Sequence, residues 1–424
     1  MFKLKENWQP VDGLILEESA LNAVKLDTAN CLVVAGPGSG KTELLAQRAC
    51  YLLETNECIY PKKILAISFK RDAAKNLAER VKKRCGSELS NRFISKTYDS
   101  FAKNLLDHFR LAIPKEYRPT ANYNIVFNNR EFEDTYRTIN EEYFNTTATE
   151  ILNTSLIKSS LPLNRNSIQN EFSDDVWRFV SSKQKISYIS FPMITRLAEY
   201  IINSNPKLKK YLQTTYSHVF LDEFQDTNLV QYDLVKSCFL NSNAIVTAVG
   251  DDKQTIMRWA GAVYNIFSIF KTDFSAKKEQ LLMNHRSAPK LVELQKILVN
   301  DLMKQNIPVT ASSKWEKDQG EIMVWVCDDY KVEAENLSQH IDDLLKMGLV
   351  PRDISILVKQ RVANYASLLI EELRKHGINA RNENDYQDLI TEELILFILN
   401  TIYVASNQSA KEKQELLDFI FLII

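Results

Sequence analysis

Apolar runs of five to eight residues recur along the chain, and each is followed by a segment of helical periodicity. The first run is CLVVA at 31–35. Four further runs share its near-continuous apolar character: KILAISF (63–69), HVFLDEF (218–224), AIVTAVGD (244–251) and ISILV (354–358). Such runs are typical of parallel strands that are buried on both faces and alternate with helices. The pattern predicts an α/β fold with a doubly wound parallel sheet, whose chemistry lies at the carboxyl ends of the strands.

The segment from about 96 to 206 departs from this pattern. It is rich in Asn, Tyr, Phe and charged residues and has few strand-like runs. Its clearest pattern is helical, in TRLAEYIINSNPKLKKYLQ. We therefore predict a mostly helical subdomain inserted into the first α/β domain.

Composition and charge narrow the class of protein. With 424 residues, of which 45% are hydrophobic and 25% charged, the chain has the make-up of a globular protein of about three domains. Its net charge of −1 gives no overall attraction to nucleic acid, so any such partner must be bound by a local surface. No run approaches the ~18 apolar residues of a membrane span, and the six cysteines include no CxxC pair. We expect a cytoplasmic protein with reduced thiols, no membrane association and no zinc site.

A glycine loop follows the first apolar run. Its residues are Ala35, Gly36, Pro37, Gly38, Ser39 and Gly40. Glycines let the backbone turn tightly and direct N–H groups toward phosphate oxygens. Lys41 would then reach the β- and γ-phosphates, and the hydroxyl of Thr42 would bind Mg²⁺. With a strand before it and a helix after it, the loop indicates a P-loop site for ATP and Mg²⁺.

An acidic pair closes the third apolar run, in VFLDEFQDTN. Asp222 would hold the magnesium ion through water, and Glu223 would polarise the water that attacks the γ-phosphate. Gln225, Asp226 and Thr227 follow at once. They are either ordinary polar residues at the start of a helix or a sign that this ATPase does more than hydrolyse ATP.

The next run leads into VGDDKQTIMRWAGA at 249–262. Gln254 is placed where it could sense a γ-phosphate. Trp259 follows Arg258, and an aromatic ring beside a cation suits stacking on an unpaired base, worth about 1–3 kcal/mol. Core packing is the alternative role for a single tryptophan.

Four motifs in this order resemble those of the UvrD/Rep/PcrA helicases of superfamily 1. They are AGPGSGKT, LDEFQDTN, VGDDKQTIMRWAGA and LLMNHRS. ILAISFKRDAAKNLAERV and SKTYDSFAKNLL look like further motifs of that family, so the resemblance runs from about residue 13 to about residue 405. It implies RecA-like P-loop NTPase motor domains, which use ATP and Mg²⁺ to move 3′→5′ on single-stranded DNA and separate its strands. The expected substrates are single-stranded DNA and 3′-tailed duplex.

The resemblance also implies roles around the nucleotide. Lys41 and Thr42 match the contacts to triphosphate and magnesium. Asp222 and Glu223 match the magnesium ligand and the catalytic carboxylate. Arg286 is similar to one of the family's two γ-phosphate arginines, an arginine finger supplied in cis, and such fingers are worth about 10³–10⁵ in rate.

Other positions match the coupling and DNA-binding parts of these motors. Gln225 and Gln254 look like the residues that couple the γ-phosphate to the DNA side. The positions that match DNA contacts are Phe69, Thr97, Arg258 and Trp259. The stretch from Lys62 to Arg84 holds nine Lys and Arg residues. It is either a solvated helix face or a track for DNA phosphates.

The same resemblance divides the chain into parts. The first motor domain would comprise residues 1–95 and 207–280, interrupted by the helical insert at 96–206. Residues 281–384 would form the first half of a second RecA-like domain. Residues 385–424 would begin a second helical insert.

Four positions depart from the family pattern. Ala20 stands where the family has an adenine-reading glutamine, and His285, still planar and able to stack, replaces its adenine-stacking tyrosine. Met257 replaces an aromatic residue that assists base stacking, and Asp99 replaces a histidine near the DNA backbone. The neighbours of Ala20 that could compensate are Glu17, Glu18 and Asn22. We therefore expect a weaker preference for adenine.

The family's last two motifs, which carry a second arginine finger, are not found before Ile424. We expect a truncated or short form of a longer helicase, or a chain whose missing part a partner supplies. An alternative is a nucleotide-sensing, DNA-binding regulatory subunit of a nuclease-containing complex, as in two-component phage-defence systems, with little helicase activity. A generic P-loop ATPase without DNA stimulation is a third possibility.

Overall fold

The computed structural model describes most of the chain, in two compact units. The described residues are 2–126, 159–163, 165–166, 168–255, 257, 261–304, 306, 308–359, 362–383, 385–386, 389 and 392–405. The two units are Met1–Ile322 and Met323–Ile424. No helix within the described residues is long and apolar enough to cross a membrane.

The strands of the described residues all lie in the first unit. They are β1 Cys31–Ala35, β2 Lys63–Ser68, β3 Phe93–Thr97, β4 Asn124–Val126, β5 Tyr188–Ser190, β6 Tyr216–Leu221, β7 Ile245–Gly250, β8 Lys277–Leu281, β9 Met283–Asn284 and β10 Thr310–Ala311. Six of them form one sheet in the order β3-β2-β6-β7-β1-β8, and every neighbouring pair is parallel. Two short parallel pairs, β4 with β5 and β9 with β10, lie outside it.

Helices make up most of the remaining described structure. They are α1 Glu18–Lys25, α2 Lys41–Glu54, α3 Arg71–Ser90, α4 Tyr98–Phe109, α5 Ile168–Ser181, α6 Phe191–Ser204, α7 Pro206–Thr215, α8 Leu229–Phe239, α9 Ile266–Asp273, α10 Pro289–Met303, α11 Tyr330–Lys346, α12 Val362–Tyr365, α13 Ser367–Lys375 and α14 Glu393–Ala405. Several helices begin at residues that favour a helix N-terminus. Asn228 caps α8 in a capping box with Gln231, and α7 and α10 each begin with a proline.

The two faces of the sheet are buried in two separate hydrophobic clusters. Side chains alternate along a strand, so Leu32 and Val34 lie in one cluster and Val33 lies in the other. Helices α4, α6 and α8 cover the first face, and α1, α2 and α3 cover the second. Each fully buried aliphatic side chain contributes about 1.5–3 kcal/mol of hydrophobic stabilisation. This double burial explains why the central strands are apolar throughout.

Three predicted strand partners of β1 are confirmed. The runs at 63–69, 218–224 and 244–251 become β2, β6 and β7, with Leu65 opposite Val219 and Val219 opposite Val246. β3 and β8 were not predicted. They form the two edges of the sheet, and only Leu281 of KKEQL in β8 is buried. An edge strand that is open to solvent lacks the continuous apolar pattern.

The insert is mostly helical in its described residues, as predicted. Helices α4, α5 and α6 pack with the β4–β5 pair around buried aromatic and aliphatic side chains that include Trp177. Asp174 is fully buried within it and accepts hydrogen bonds from Arg165 at 2.6 Å and Arg178 at 2.8 Å. These ion pairs and the apolar core tie the insert together.

The second unit, within its described residues, contains helices and no strand. Its small core joins α11 to α13 through Ala334, Ile341, Leu369 and Leu373. The prediction of a strand at 354–358 is wrong. That run has no ladder partner among the described residues of the unit, and Leu357 is 92% exposed. An apolar run becomes a strand only where a neighbouring backbone pairs with it.

Candidate nucleotide-binding site

The glycine loop joins the end of β1 to the start of α2. Gly38 and Gly40 have φ angles of +72° and +84°, the left-handed region that side chains disfavour. The hydroxyl of Ser39 donates a 2.7 Å hydrogen bond to the carbonyl of Gly36 and closes the loop. Lys41 is the first residue of α2. The unpaired N–H groups and the dipole of a helix N-terminus favour a phosphate here.

The acidic pair lies at the carboxyl end of β6, facing the P-loop lysine. Lys41 Nζ is 3.3 Å from Glu223 Oε2. Asp222 is 2% exposed, and its carboxylate accepts a 3.0 Å hydrogen bond from the backbone N–H of Glu223. Burial, and then the charge of Glu223, raises the pKa of Asp222 to about 6. Two carboxylates and one ammonium group therefore lie close together, where the γ-phosphate of a bound nucleoside triphosphate would be expected.

The residues present fit a magnesium ion. Mg²⁺ prefers hard oxygen ligands and is usually held by one or two carboxylates together with substrate phosphates. Asp222 offers a buried carboxylate, and Thr42 offers a hydroxyl at the start of α2. A cation beside Asp222 would offset the cost of its buried charge, which is the cost that raises its pKa.

A chain of hydrogen bonds runs from Glu223 into the segment after β7. Gln225 is 3% exposed, and its amide nitrogen donates to Glu223 Oε2 at 2.7 Å. Its amide oxygen accepts from the backbone N–H of Asp251 at 3.0 Å. Gly250 leaves the room for this contact, because a Cβ there would lie 2.5 Å from Gln225 Oε1. Gln225 therefore bridges the ends of two neighbouring strands.

Asp251 extends this chain to Gln254. Its buried carboxylate accepts from Gln254 Nε2 at 2.9 Å and pairs with Lys253 Nζ at 2.8 Å. We name the series Glu223–Gln225–Asp251–Gln254 the relay. Asp251 and Lys253 were not predicted as site residues. The signal was the acidic pair and lysine of VGDDKQ, a motif in which only the glutamine was predicted as a site residue.

Asp226 and Thr227 have separate roles. Thr227 Oγ1 lies 3.1 Å from Tyr98 OH, and the carbonyl of Thr227 accepts from the N–H of Val263 at 3.3 Å. It therefore connects the acidic pair to α4 and to the segment after the relay. Asp226 Oδ1 is buried and accepts no hydrogen bond from the described residues. Burial, and then the charge of Glu223, raises the pKa of Asp226.

The predicted adenine-stacking residue, His285, and the predicted arginine finger, Arg286, lie beside the P-loop, after β9. The backbone N–H of His285 donates to the carbonyl of Gly38 at 2.8 Å. Arg286 is exposed, and its guanidinium enters no ion pair within the described residues. The structure thus brings His285 and Arg286 to the loop that holds Lys41.

Two of the predicted DNA contacts, Phe69 and Thr97, lie at the carboxyl ends of the paired strands β2 and β3, where Ser68 is opposite Thr97. Phe69 follows β2 and is half-buried. Thr97 caps α4, accepting from the N–H of Ser100 at 3.1 Å, so its hydroxyl already has a structural partner. Arg258 and Trp259 lie outside the described residues. All four remain predictions as DNA contacts.

Part of the basic stretch at 62–84 is structural. Arg80 and Arg84 turn toward Glu43 of α2, at 2.9 Å and 3.1 Å. Lys75 and Lys82 are exposed on α3 and stay free to meet either solvent or phosphate.

One departure from the family pattern, at Ala20, has a structural account. Ala20 is 5% exposed and packs into the cluster that covers one face of the sheet. Glu17, a candidate to replace its missing amide, accepts hydrogen bonds from the N–H groups of Leu282 at 3.2 Å and Met283 at 3.5 Å. Its carboxylate is therefore engaged with the backbone.

The fold and the site together define a P-loop nucleotide-binding domain of RecA-like α/β architecture. The family model of the UvrD/REP helicase N-terminal domain matches residues 16–275. Since this match covers more than half of the chain, the protein belongs to the UvrD/REP helicase family.

Several known proteins are similar to the chain. It is 26% identical over 364 residues to the probable DNA helicase II homolog of Mycoplasma capricolum subsp. capricolum, covering 82% of this chain and 50% of that protein. It is 28% identical over 377 residues to the ATP-dependent DNA helicase Rep of Buchnera aphidicola subsp. Acyrthosiphon pisum, covering 84% and 56%. It is 27% identical over 365 residues to the ATP-dependent DNA helicase PcrA of Staphylococcus epidermidis, covering 82% and 48%. The chain spans about half the length of these curated relatives.

Proposed function

We propose that this protein is an ATP-dependent DNA helicase that moves 3′→5′ on single-stranded DNA and opens 3′-tailed duplex. The observation that carries the proposal is the relay. It connects Glu223, which faces Lys41, to Gln254, five residues before Trp259. A plain nucleotidase has no need for such a connection, whereas a motor must report the state of its nucleotide to its DNA track.

At the nucleotide, each residue has one task. The P-loop amides and Lys41 bind the β- and γ-phosphates, and Glu223 orients the attacking water and accepts its proton. Asp222 and Thr42 would hold Mg²⁺, which would neutralise charge on the phosphate oxygens. Arg286, presented beside Gly38, balances the charge that develops on the γ-phosphate.

Coupling follows from what Gln225 touches. Loss of the γ-phosphate changes the charge around Glu223, and the hydrogen bond from Gln225 transmits that change to the backbone of Asp251. Gln254 moves with Asp251. The segment that carries Arg258 and Trp259 then binds an unpaired DNA base with a different affinity. We also propose that the protein acts in the cytoplasm.

A second candidate is a nucleotide-sensing, DNA-binding regulatory subunit that works with a nuclease or another protein partner and barely moves on DNA. The departures from the family pattern support it, because Ala20, Met257 and Asp99 replace residues that the resemblance places at the adenine or along the DNA.

ATP hydrolysis with and without single-stranded DNA, followed by unwinding of 3′-tailed and 5′-tailed duplexes, separates these functions. The helicase predicts DNA-stimulated hydrolysis and opening of the 3′-tailed substrate only, both lost in Lys41→Ala. DNA binding with slow hydrolysis and no unwinding supports the regulatory subunit. Hydrolysis without any DNA response contradicts both and leaves a generic P-loop ATPase.

Trp259→Ala refines this test. It is expected to weaken the stimulation of ATP hydrolysis by DNA and to leave the DNA-independent rate unchanged, since a residue that stacks on a DNA base does not touch the bound ATP. An unchanged DNA response would assign Trp259 to core packing.

A further inference from the structure

Asn284 is a buried polar residue at the root of the loop that carries Arg286. It is 1% exposed and ends β9. Its side-chain oxygen accepts two hydrogen bonds of 2.9 Å, from the backbone N–H groups of Arg286 and Ser287. Such a turn fixes the backbone of the following residues while leaving their side chains free. The exposed guanidinium of Arg286 therefore projects from a backbone that Asn284 holds.

The same side chain touches the P-loop. A Cβ built on Gly38 would collide with Asn284 Oδ1 and would lie 2.8 Å from Arg286 Cβ. The N–H of His285 also donates to the carbonyl of Gly38 at 2.8 Å. Gly38 thus lets the two loops approach within van der Waals distance. A group that binds the P-loop is within reach of the loop that Asn284 shapes.

Two further contacts hold Asn284 in place from behind. Its amide nitrogen donates to Gln295 Oε1 in α10 at 3.3 Å. The preceding backbone is tied to Glu17, which accepts from the N–H of Leu282 at 3.2 Å. The side chain is therefore oriented from both sides, with its oxygen toward Arg286 and its nitrogen toward α10.

We propose that Asn284 is a positioning residue that sets Arg286 against the terminal phosphate of the nucleotide bound by the P-loop. Asn284 itself does not touch the nucleotide. The proposal rests on the nucleotide site of the proposed function, but it requires neither hydrolysis nor DNA.

Nucleotide affinity without turnover tests it. An arginine that contacts the γ-phosphate strengthens the binding of ATPγS but not of ADP, so the ratio of the two affinities reports on the finger. Charge-assisted hydrogen bonds suggest that Arg286→Ala lowers this ratio about 10- to 100-fold. Asn284→Ala should lower it to a similar extent with ADP affinity close to wild type, measured well below its melting temperature because the loss of three hydrogen bonds at a buried position lowers stability.

Two variants separate positioning from a general structural role. In the double variant N284A/R286A the ratio should fall no further than in R286A alone, because both changes remove one interaction. Asn284→Asp keeps an oxygen that accepts from Arg286 and Ser287, but it loses the bond to Gln295 and adds a buried negative charge. Its ratio should therefore lie between those of Asn284→Ala and wild type.

Several outcomes would overturn the proposal. One is an Asn284→Ala protein with an unchanged ratio, and another is additive losses in the double variant. A third is an equal loss of ADP affinity, which would show collapse of the P-loop instead of a misplaced finger. An unchanged ratio in R286A would show that Arg286 does not contact the γ-phosphate. A protein that passes these tests yet fails to unwind DNA would contradict the proposed helicase and leave the role of Asn284 intact.

Discussion

The side-chain amide of Gln225 donates a 2.7 Å hydrogen bond to the carboxylate of Glu223. That contact occupies the oxygen of Glu223 that also faces Lys41 at 3.3 Å. The other end of the amide holds the backbone of Asp251 at 3.0 Å. Gln225 therefore links the carboxylate that we propose orients the attacking water to the segment that follows the neighbouring strand.

Gln225→Glu should lower the rate of hydrolysis by about 10- to 100-fold while leaving nucleotide affinity within a few-fold of wild type. The new carboxylate can still accept from Asp251, but it repels Glu223 at contact distance and displaces it from the attacking water. Steady-state phosphate release and equilibrium nucleotide binding measure the two effects.

Gln231→Glu is the matched control for this change. Gln231 lies six residues on, and its oxygen accepts from the N–H of Asn228 in the cap of α8. A glutamate there keeps that acceptor and touches no relay residue, so hydrolysis should be unchanged. Equal rates in Q225E and wild type would show that the contact with Glu223 has no catalytic weight.

Asp222→Asn should stabilise the metal-free protein at neutral pH. The pKa of Asp222 is raised by burial from its ordinary value of 3.8 to about 6, so the folded state favours the protonated form. The stability of wild type therefore falls as pH rises from about 4 to about 6 and stays low above that window. At about 1.4 kcal/mol per pKa unit, the cost is on the order of 3 kcal/mol, which asparagine avoids while still accepting from Glu223.

Denaturant unfolding in EDTA at pH 3.5 and pH 7.5 measures this effect. The gain of D222N over wild type should be present at pH 7.5 and absent at pH 3.5. Asp252→Asn, which changes a 43% exposed carboxylate nearby, should show little pH-dependent difference. A D222N protein that is less stable than wild type at pH 7.5 would contradict the cost assigned to burial.

The central strands were predictable because burial on both faces leaves a continuous apolar record. β2, β6 and β7 carry that record, whereas the edge strand β8 reads KKEQL and resembles a loop. The run at 354–358 shows the opposite error. Its composition is that of a strand, but strand formation depends on a pairing partner, which the sequence of the run does not contain.

At the candidate nucleotide site, the proximity of three residues was predictable, and their roles there stay predictions. Lys41, Asp222 and Glu223 follow strands directly, and parallel strands bring their carboxyl ends together. The contact between Gly38 and Asn284 joins residues that are distant in the chain. Residue types alone do not specify it, because it depends on the path that the chain takes after it leaves the sheet at the end of β8. Asp251 was not predicted for a related reason. Its backbone N–H donates to Gln225, and the residue type does not determine a backbone contact.

Gly38→Ala should destabilise the nucleotide-free protein. Left-handed backbone costs a non-glycine residue about 1–2 kcal/mol, and the collision with Asn284 should add about 1–3 kcal/mol. Gly13→Ala shares the positive φ but meets nothing within 4 Å, and Gly36→Ala has neither feature. Thermal or denaturant unfolding should therefore rank the three variants with G36A most stable and G38A least. If G38A is as stable as G13A, the loop that carries Arg286 moves away from the P-loop at little cost in free energy.

The protein should discriminate poorly between ATP and GTP. The resemblance to UvrD/Rep/PcrA helicases places an adenine-reading amide at position 20, and the structure has a buried alanine there. Glu17 does not replace the amide, because an ionised carboxylate has no donor for a base and already accepts from the backbone of Leu282 and Met283. Sites that hydrogen-bond a substrate group can reject an analogue by about 10⁴–10⁵, and this site has lost that means. We expect kcat/KM for the two nucleotides within about tenfold, measured as phosphate release with single-stranded DNA present and Lys41→Ala as the background. A preference for ATP above about a hundredfold would mean that another residue reads the base, and exposed Asn22 on α1 would be the first to replace by alanine.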